Sequence, residues 1–171
     1  KGIEYLSLSA KQNNSKAQFW LGQAYYFGVA VKKDIAKGIY LFIQSADNHF
    51  IEANFAVGFL YHKGEGKYLP RNIKKSIHYY KEASSFYNQY AKNNIGILYK
   101  NGFENEIIKS PEYAKVYFEE AIKQNNDEVA MYNISHIYIY EDKTDESIEK
   151  SIDLLIKSSN LVFNPSQKCY V

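Results

Sequence analysis

Arginine is almost missing from this 171-residue chain: Arg71 is the one example among 21 basic residues. A reader of nucleic acid leans on the planar, bidentate guanidinium for phosphate and guanine contacts, and here lysine would have to make nearly all of them. The 21 basic and 19 acidic residues are interspersed, to a net charge of +2, so nothing demands a polyanionic partner and nucleic acid is set aside. Cysteine is equally scarce. Cys169 has no second cysteine to pair with, so no internal disulfide frames the fold, and a reducing compartment is compatible with the chain. No apolar run approaches the roughly 18 residues that a membrane-spanning helix needs, so no membrane insertion is expected of this chain. Its opening Lys1-Gly2-Ile3-Glu4 has the pattern of neither a secretion signal nor a natural start, and the expectation is a piece of a longer protein. What remains is ordinary globular content, 46% hydrophobic, enough for one core or for an array of small repeats.

The glycines decide between those two. Six of the nine fall into one pattern: Gly22-x-x-Tyr25-x-x-Gly28, Gly58-x-x-Tyr61-x-x-Gly64 and Gly96-x-x-Tyr99-x-x-Gly102, at offsets of 36 and 38. Each is preceded, five residues before its first glycine, by an alanine: Ala17, Ala53 or Ala91. A fourth copy, with Ala130, Ser135, Tyr138 and Glu141, has lost both glycines. A second phrase recurs between these, in residues 37–46, 75–84, 113–122 and 150–159, each with the periodicity of an amphipathic helix, and residues 1–10 repeat it at the start of the chain. Asp34, Asn72, Ser110 and Ser147 stand four residues before the small residues Gly38, Ser76, Ala114 and Ser151, where a side-chain oxygen can cap a helix, and Pro111 with Glu112 suits a first turn. Gly28, Gly64 and Gly102 fall where the first helix of each unit must end. Gly22, Gly58 and Gly96 lie inside it, at a cost of about 1 kcal/mol each relative to alanine, which implies a neighbour too close for a side chain. The tyrosine three residues on should fill the adjoining inter-helix space.

The whole phrase, Ala17-x-x-x-Leu21-Gly22-x-x-Tyr25-x-x-Gly28 followed by Val31-x-x-Asp34-x-x-Lys37 and a helix ending Ser45-Ala46, resembles the Sel1-like repeat, a relative of the tetratricopeptide repeat. The resemblance implies an all-α fold, a right-handed α-α superhelix or solenoid of helix pairs. It divides the chain into the second helix of a truncated repeat (1–14), full repeats at 15–50, 51–88 and 89–126, a degenerate repeat at 127–161 with an acidic loop at 141–146, and the start of a further helix in 162–171. It also implies a non-catalytic scaffold or adaptor that binds a peptide or partner protein. In tetratricopeptide arrays first helices line the concave face, and by that similarity the binding positions here are Lys16, Phe19, Gln23 and Tyr26, then Glu52, Phe55, Phe59 and His62. Tyr90, Asn93, Ile97 and Lys100 follow, then Val129, Tyr132, His136 and Ile139. Packing between repeats is the competing role for Phe19, Phe55 and Tyr132, since helix aromatics are usually core. Mixed aromatic and neutral polar positions suit an extended peptide or a helix with apolar anchors.

Two other functions compete with the scaffold. A cysteine-rich branch of the family, associated with β-lactam binding, would suggest a small-molecule hydrolase, but its paired cysteines are absent; a purely structural spacer is the third reading. Ser147-x-x-Lys150 matches an acylating serine motif only in isolation, and its serine is placed to cap a helix. Gly64-Glu65-Gly66 lacks the Lys and Ser or Thr of a phosphate loop, and His49, His62, His78 and His136 have no zinc-site spacing. No cofactor, metal or catalytic residue is therefore assigned. The sequons at Asn13 and Asn133 are read as chance in an Asn-rich chain. Asn164-Pro165 repeats a helix-start signature, and Ser166 follows Ser159 by the seven residues that separate Ala53 from Ala46. Open stacking surfaces at both ends are expected to be met by further chain or by end-to-end self-association.

Overall fold

The computed structural model describes residues 1–85, 88–103 and 106–162. Among them the regular elements are nine α-helices and one π-helical turn, and the extended pairing amounts to two isolated bridges, Glu65 with Leu69 and Phe103 with Ile107. The chain divides into two compact units, Lys1–Phe86 and Tyr87–Val171. The first holds α1 (Gly2–Lys11), α2 (Ser15–Phe27), α3 (Ile35–Asp47), α4 (Ile51–Lys63) and α5 (Ile73–Ser84). The second holds α6 (Gln89–Asn101), α7 (Pro111–Asn125), α8 (Glu128–Ile137), the π-turn Tyr138–Asp142 and α9 (Asp145–Val162). In each unit every helix packs against the ones before and after it in the chain. The expected further helix at 162–171 lies outside the described residues, apart from Val162, which closes α9.

Each glycine inside a first helix, Gly22, Gly58 and Gly96, turns out to be a seat for an aromatic ring from the paired helix. A Cβ on Gly22 would come within 2.9 Å of Phe42, one on Gly58 within 2.6 Å of Tyr80, and one on Gly96 within 2.6 Å of Phe118. Phe42, Tyr80 and Phe118 are all buried, four residues after Gly38, Ser76 and Ala114. The pair is thus glycine on the first helix, ring on the second, and the fourth repeat exchanges both members, with Ser135 for glycine and Leu155 at the ring position. The motif tyrosines fill space beside it as expected: Tyr61 stacks on Tyr79 at 5.8 Å, and Tyr99 on Tyr117 at 5.9 Å. Tyr25 instead lies under the Lys37 ammonium, 3.9 Å from the ring centroid.

The helix ends follow local rules. Asp34, Asn72 and Ser110 accept from the amides of Lys37, Lys75 and Tyr113. Their own amides donate to the carbonyls of Tyr25, Tyr61 and Tyr99, which ties each loop back to its motif tyrosine. Asn14, Asn88 and Asp127 cap the first helices α2, α6 and α8 in the same manner. Gly64 and Gly102 leave their helices at φ of 76° and 66° with ψ of 154° and 166°, a region open to glycine almost exclusively.

Ser147 does not cap α9, contrary to the register of the other three. The helix starts earlier, with Thr144 as the cap: Thr144 Oγ1 accepts from the Ser147 amide at 3.1 Å, while Ser147 Oγ accepts from the Thr144 amide at 3.0 Å. This reciprocal box frees the Ser147 hydroxyl to donate to the Tyr138 carbonyl at 3.1 Å, the same atom type that the cap amides reach in the other repeats. Without a glycine at 141, α8 runs on into the π-turn and leaves through Lys143 at φ 57°. The acidic loop is pinned back, with Glu141 on Lys109 at 2.6 Å and Asp142 on Lys115 at 2.8 Å.

Candidate functional site

In the first unit five of the eight proposed binding positions converge. Phe19, Gln23 and Tyr26 of α2 and Phe55 and Phe59 of α4 line one cleft of about 360 Å³, completed by Phe27, Phe42, Ala56, Leu60, Lys63 and Glu65. The heptad-like spacing of α2 and the matching spacing of α4, set by the repeat, put these side chains opposite each other. Phe19 is its floor: it is 7% exposed and packs on Phe42 at 5.5 Å and Phe50 at 5.3 Å. Phe27 and Phe59 stand open at the mouth, 62% and 48% exposed, while Phe55 is half-buried, with its ring 5.7 Å from that of Tyr80. The packing role weighed against binding therefore applies to Phe19 in full and to Phe55 in part.

A polar contact crosses the cleft. The Tyr26 hydroxyl donates to Glu65 Oε2 at 2.6 Å, joining α2 to the loop after α4. Burial, that hydrogen bond and the carboxylate charge push the Tyr26 phenol up to about 12. Lys16 and Glu52 are exposed outside the cleft lining. His62 is half-buried beside Tyr80, and burial, then the positive charge of Arg71, holds its imidazole below the usual range. A neutral cleft walled by aromatics can bury an apolar side chain of a partner and orient it by the few polar groups at its edge.

The eight positions of the second unit behave differently. Asn93 is 4% exposed and donates to Asp127 Oδ1 at 2.6 Å, so it joins α6 to the cap of α8 and presents no surface. Lys100 Nζ donates to Asn133 Oδ1 at 2.7 Å, and burial lowers its pKa. Ile97 packs against the core cluster of that unit and Ile139 is half-buried. Tyr90, Val129 and Tyr132 are exposed, as is His136, whose ring lies 4.4 Å from that of Tyr140.

Phe27, Lys63 and Glu65 were not among the expected positions. Phe27 ends α2 just before Gly28, and Glu65 lies in the loop after α4, so neither falls on the first-helix stripe that the repeat register marks. Ser147 and Lys150 do not form a nucleophile and base, since the serine is consumed by the helix cap and Lys150 Nζ pairs with Glu146 at 2.5 Å. Among the described residues no three His, Cys, Asp or Glu side chains are grouped to hold a metal ion, and no helix is long and apolar enough to cross a membrane.

Comparison with known proteins adds the following. The family described as Sel1 repeat matches residues 1–14, 15–50, 51–85, 89–126 and 129–162. The chain is 32% identical over 101 residues to the ERAD-associated E3 ubiquitin-protein ligase component HRD3B of Arabidopsis thaliana, an alignment covering 58% of this chain and 15% of that protein. Two crystal structures share the fold. One is c5321, a protective antigen present in uropathogenic Escherichia coli strains and displaying an SLR fold, with a TM-score of 0.79, 24% identity, and coverage of 93% of this chain and 33% of that one. The other is a Sel1 repeat protein from Oxalobacter formigenes, with a TM-score of 0.81, 22% identity, and coverage of 92% and 63%.

Proposed function

This chain belongs to the Sel1 repeat family, and on that premise we propose that it is a non-catalytic scaffold that binds a peptide or partner protein on its first helices, centred on the α2–α4 cleft. The observation that carries this reading is the cleft itself: about 360 Å³ of space between Phe27, Phe55 and Phe59, with aromatic side chains left open to water at its mouth. Exposed aromatics over a packed apolar floor are the composition of binding hot spots, and water released from them drives association. The similarity to a component of an E3 ubiquitin-protein ligase supports protein partners, while the whole-protein role of that relative, of which 15% is aligned, is not carried over. In the second unit Tyr90, Val129, Tyr132 and His136 are the exposed first-helix positions open to a partner.

Selection of a displayed peptide library on the immobilised chain tests the proposal. Selected peptides should share one or two large apolar residues and lose about tenfold or more in affinity for Phe59→Asp, a change at a half-exposed position that leaves the fold intact. Peptides that bind Phe59→Asp and Phe27→Asp as tightly as the parent would place the binding surface elsewhere.

A further inference from the structure

The cleft between α2 and α4 has a counterpart one repeat earlier. A groove of about 550 Å³ lies between α1 and α2, lined by Ile3, Leu6, Trp20, Ala24 and Val29 among others. Moved on by 36 residues, Leu6, Trp20, Ala24 and Val29 become Phe42, Ala56, Leu60 and Glu65, all of which line the α2–α4 cleft. Gln23 and Phe27 line both hollows, so α2 is the wall between them. A helix with its side chains is about 10 Å across, and one segment reaching both hollows must space its anchors accordingly. Polyproline II chain, at about 3.1 Å per residue and three residues per turn, puts side chains i and i+3 on one face about 9 Å apart. Such a chain leaves its backbone groups unpaired, whereas a helix satisfies its own. Gln23 can meet that need: its carboxamide is half-buried, bonded to no described residue, and able both to donate to a peptide carbonyl and to accept from a peptide amide.

The overall charge of +2 conceals a division between the units. Residues 1–86 hold twelve basic and six acidic side chains, a balance of +6, while residues 87–171 hold nine and thirteen, a balance of −4. Lys63 lines the cleft, and Lys16 lies one turn before Phe19 on the same face of α2. Both are exposed and neither is held in an ion pair among the described residues, whereas Lys92, Lys109, Lys115 and Lys150 of the second unit are. The carboxylate of the cleft, Glu65, accepts from the Tyr26 hydroxyl. A surface of this sign attracts acidic chain, and acidic chain repels itself into an extended form. Resting on the binding role given above to the α2–α4 cleft, we propose that the first unit takes an acidic peptide in extended, polyproline II-like form. Two large apolar side chains three residues apart fill the two hollows, the Gln23 carboxamide holds the backbone between them, and the acidic residues lie against Lys16 and Lys63.

Fluorescence anisotropy with a labelled ten-residue peptide, Phe at its fourth and seventh positions and Asp or Glu elsewhere, tests this occupant. Binding should weaken about tenfold or more when either Phe becomes Ala, and as much when Lys replaces the acids. Gln23→Leu and Lys63→Glu should each weaken the acidic peptide, while Lys16→Glu combined with Lys63→Glu should strengthen the lysine version, a gain that misfolding cannot produce. Equal binding of the acidic, lysine and serine versions, lost in Phe59→Ser, would overturn the acidic peptide and leave the cleft as a binding site. Unaltered affinity in Gln23→Leu would overturn the extended form in favour of a helical one. Binding indifferent to Phe59→Ser, or none by any version, would remove both the role of the cleft and this occupant.

Discussion

A side chain placed at Gly58 offers the most direct test of how the repeat is packed. Its Cβ would lie 2.6 Å from Cδ1 and 2.9 Å from Cε1 of Tyr80, well inside the 3.5–4.0 Å at which carbon atoms attract. Tyr80 is fully buried, so the ring cannot swing into water and α4 and α5 must separate instead. Overpacking of this kind costs about 1–3 kcal/mol, against about 1 kcal/mol regained when a helix-interior glycine is replaced. Gly58→Ala should thus be destabilised by up to about 2 kcal/mol, and Gly58→Leu, with three further carbons to place, by about 3 kcal/mol or more. Gly66 is the control. Nothing lies within 4 Å of its Cβ position, and its φ of +53° charges Gly66→Leu only the left-handed backbone penalty of about 1–2 kcal/mol. The difference, about 2 kcal/mol, should lower the melting temperature of Gly58→Leu roughly 4–8 °C below that of Gly66→Leu. In Gly58→Ser with Tyr80→Leu, the combination found as Ser135 with Leu155, the two changes should couple favourably by about 1 kcal/mol. Equal melting temperatures for the two leucine variants, or strict additivity in the double variant, would refute the idea of a glycine seat.

Two further outcomes follow from the same geometry. Thr144→Ala should cost about 1 kcal/mol and raise amide exchange in the first turn of α9, whereas a true cap at Ser147 would leave the Asp145 and Glu146 region unaffected. The Tyr26 and Tyr79 phenols, each pushed up to about 12 from an ordinary 10, favour the folded state while neutral. Their contribution is complete below pH 10 and is lost as pH rises towards 12, so alkaline unfolding should steepen in that window. Tyr26→Phe should remove one late-titrating phenol from the ultraviolet phenolate titration; an unchanged high-pH limb would show that Tyr26 does not hold its proton against Glu65.

The repeat was legible because it is written in residues whose backbone needs are local. Glycines that end helices, oxygens that cap them and a proline in a first turn act within three or four positions of themselves, so α3, α5 and α7 could be placed by their caps alone. The caps of the first helices, Asn14, Asn88 and Asp127, were equally local, three residues before Ala17, Ala91 and Ala130, and could have been found by the same reasoning. Ser147 shows the limit of register: once the glycines of the fourth repeat are gone, a π-turn takes up the difference and the helix start moves to Thr144.

What the sequence by itself determined is the order of paired helices among the described residues, and that some neighbour must sit on Gly22, Gly58 and Gly96. Only tertiary structure decided that the neighbour is Phe42, Tyr80 or Phe118, because the contact joins two helices through an unconstrained loop. The site divides along the same line. The first-helix stripe made Phe19, Phe59, Tyr90 and Asn93 all look like open surface, yet Phe19 lies on Phe42 and its register equivalent Asn93 is drawn under Asp127, while Phe59 and Tyr90 are exposed. Periodicity assigns a residue to a face; whether that face meets water depends on what the next helix brings, and Glu65, 39 residues from the Tyr26 hydroxyl it accepts from, is such a contribution.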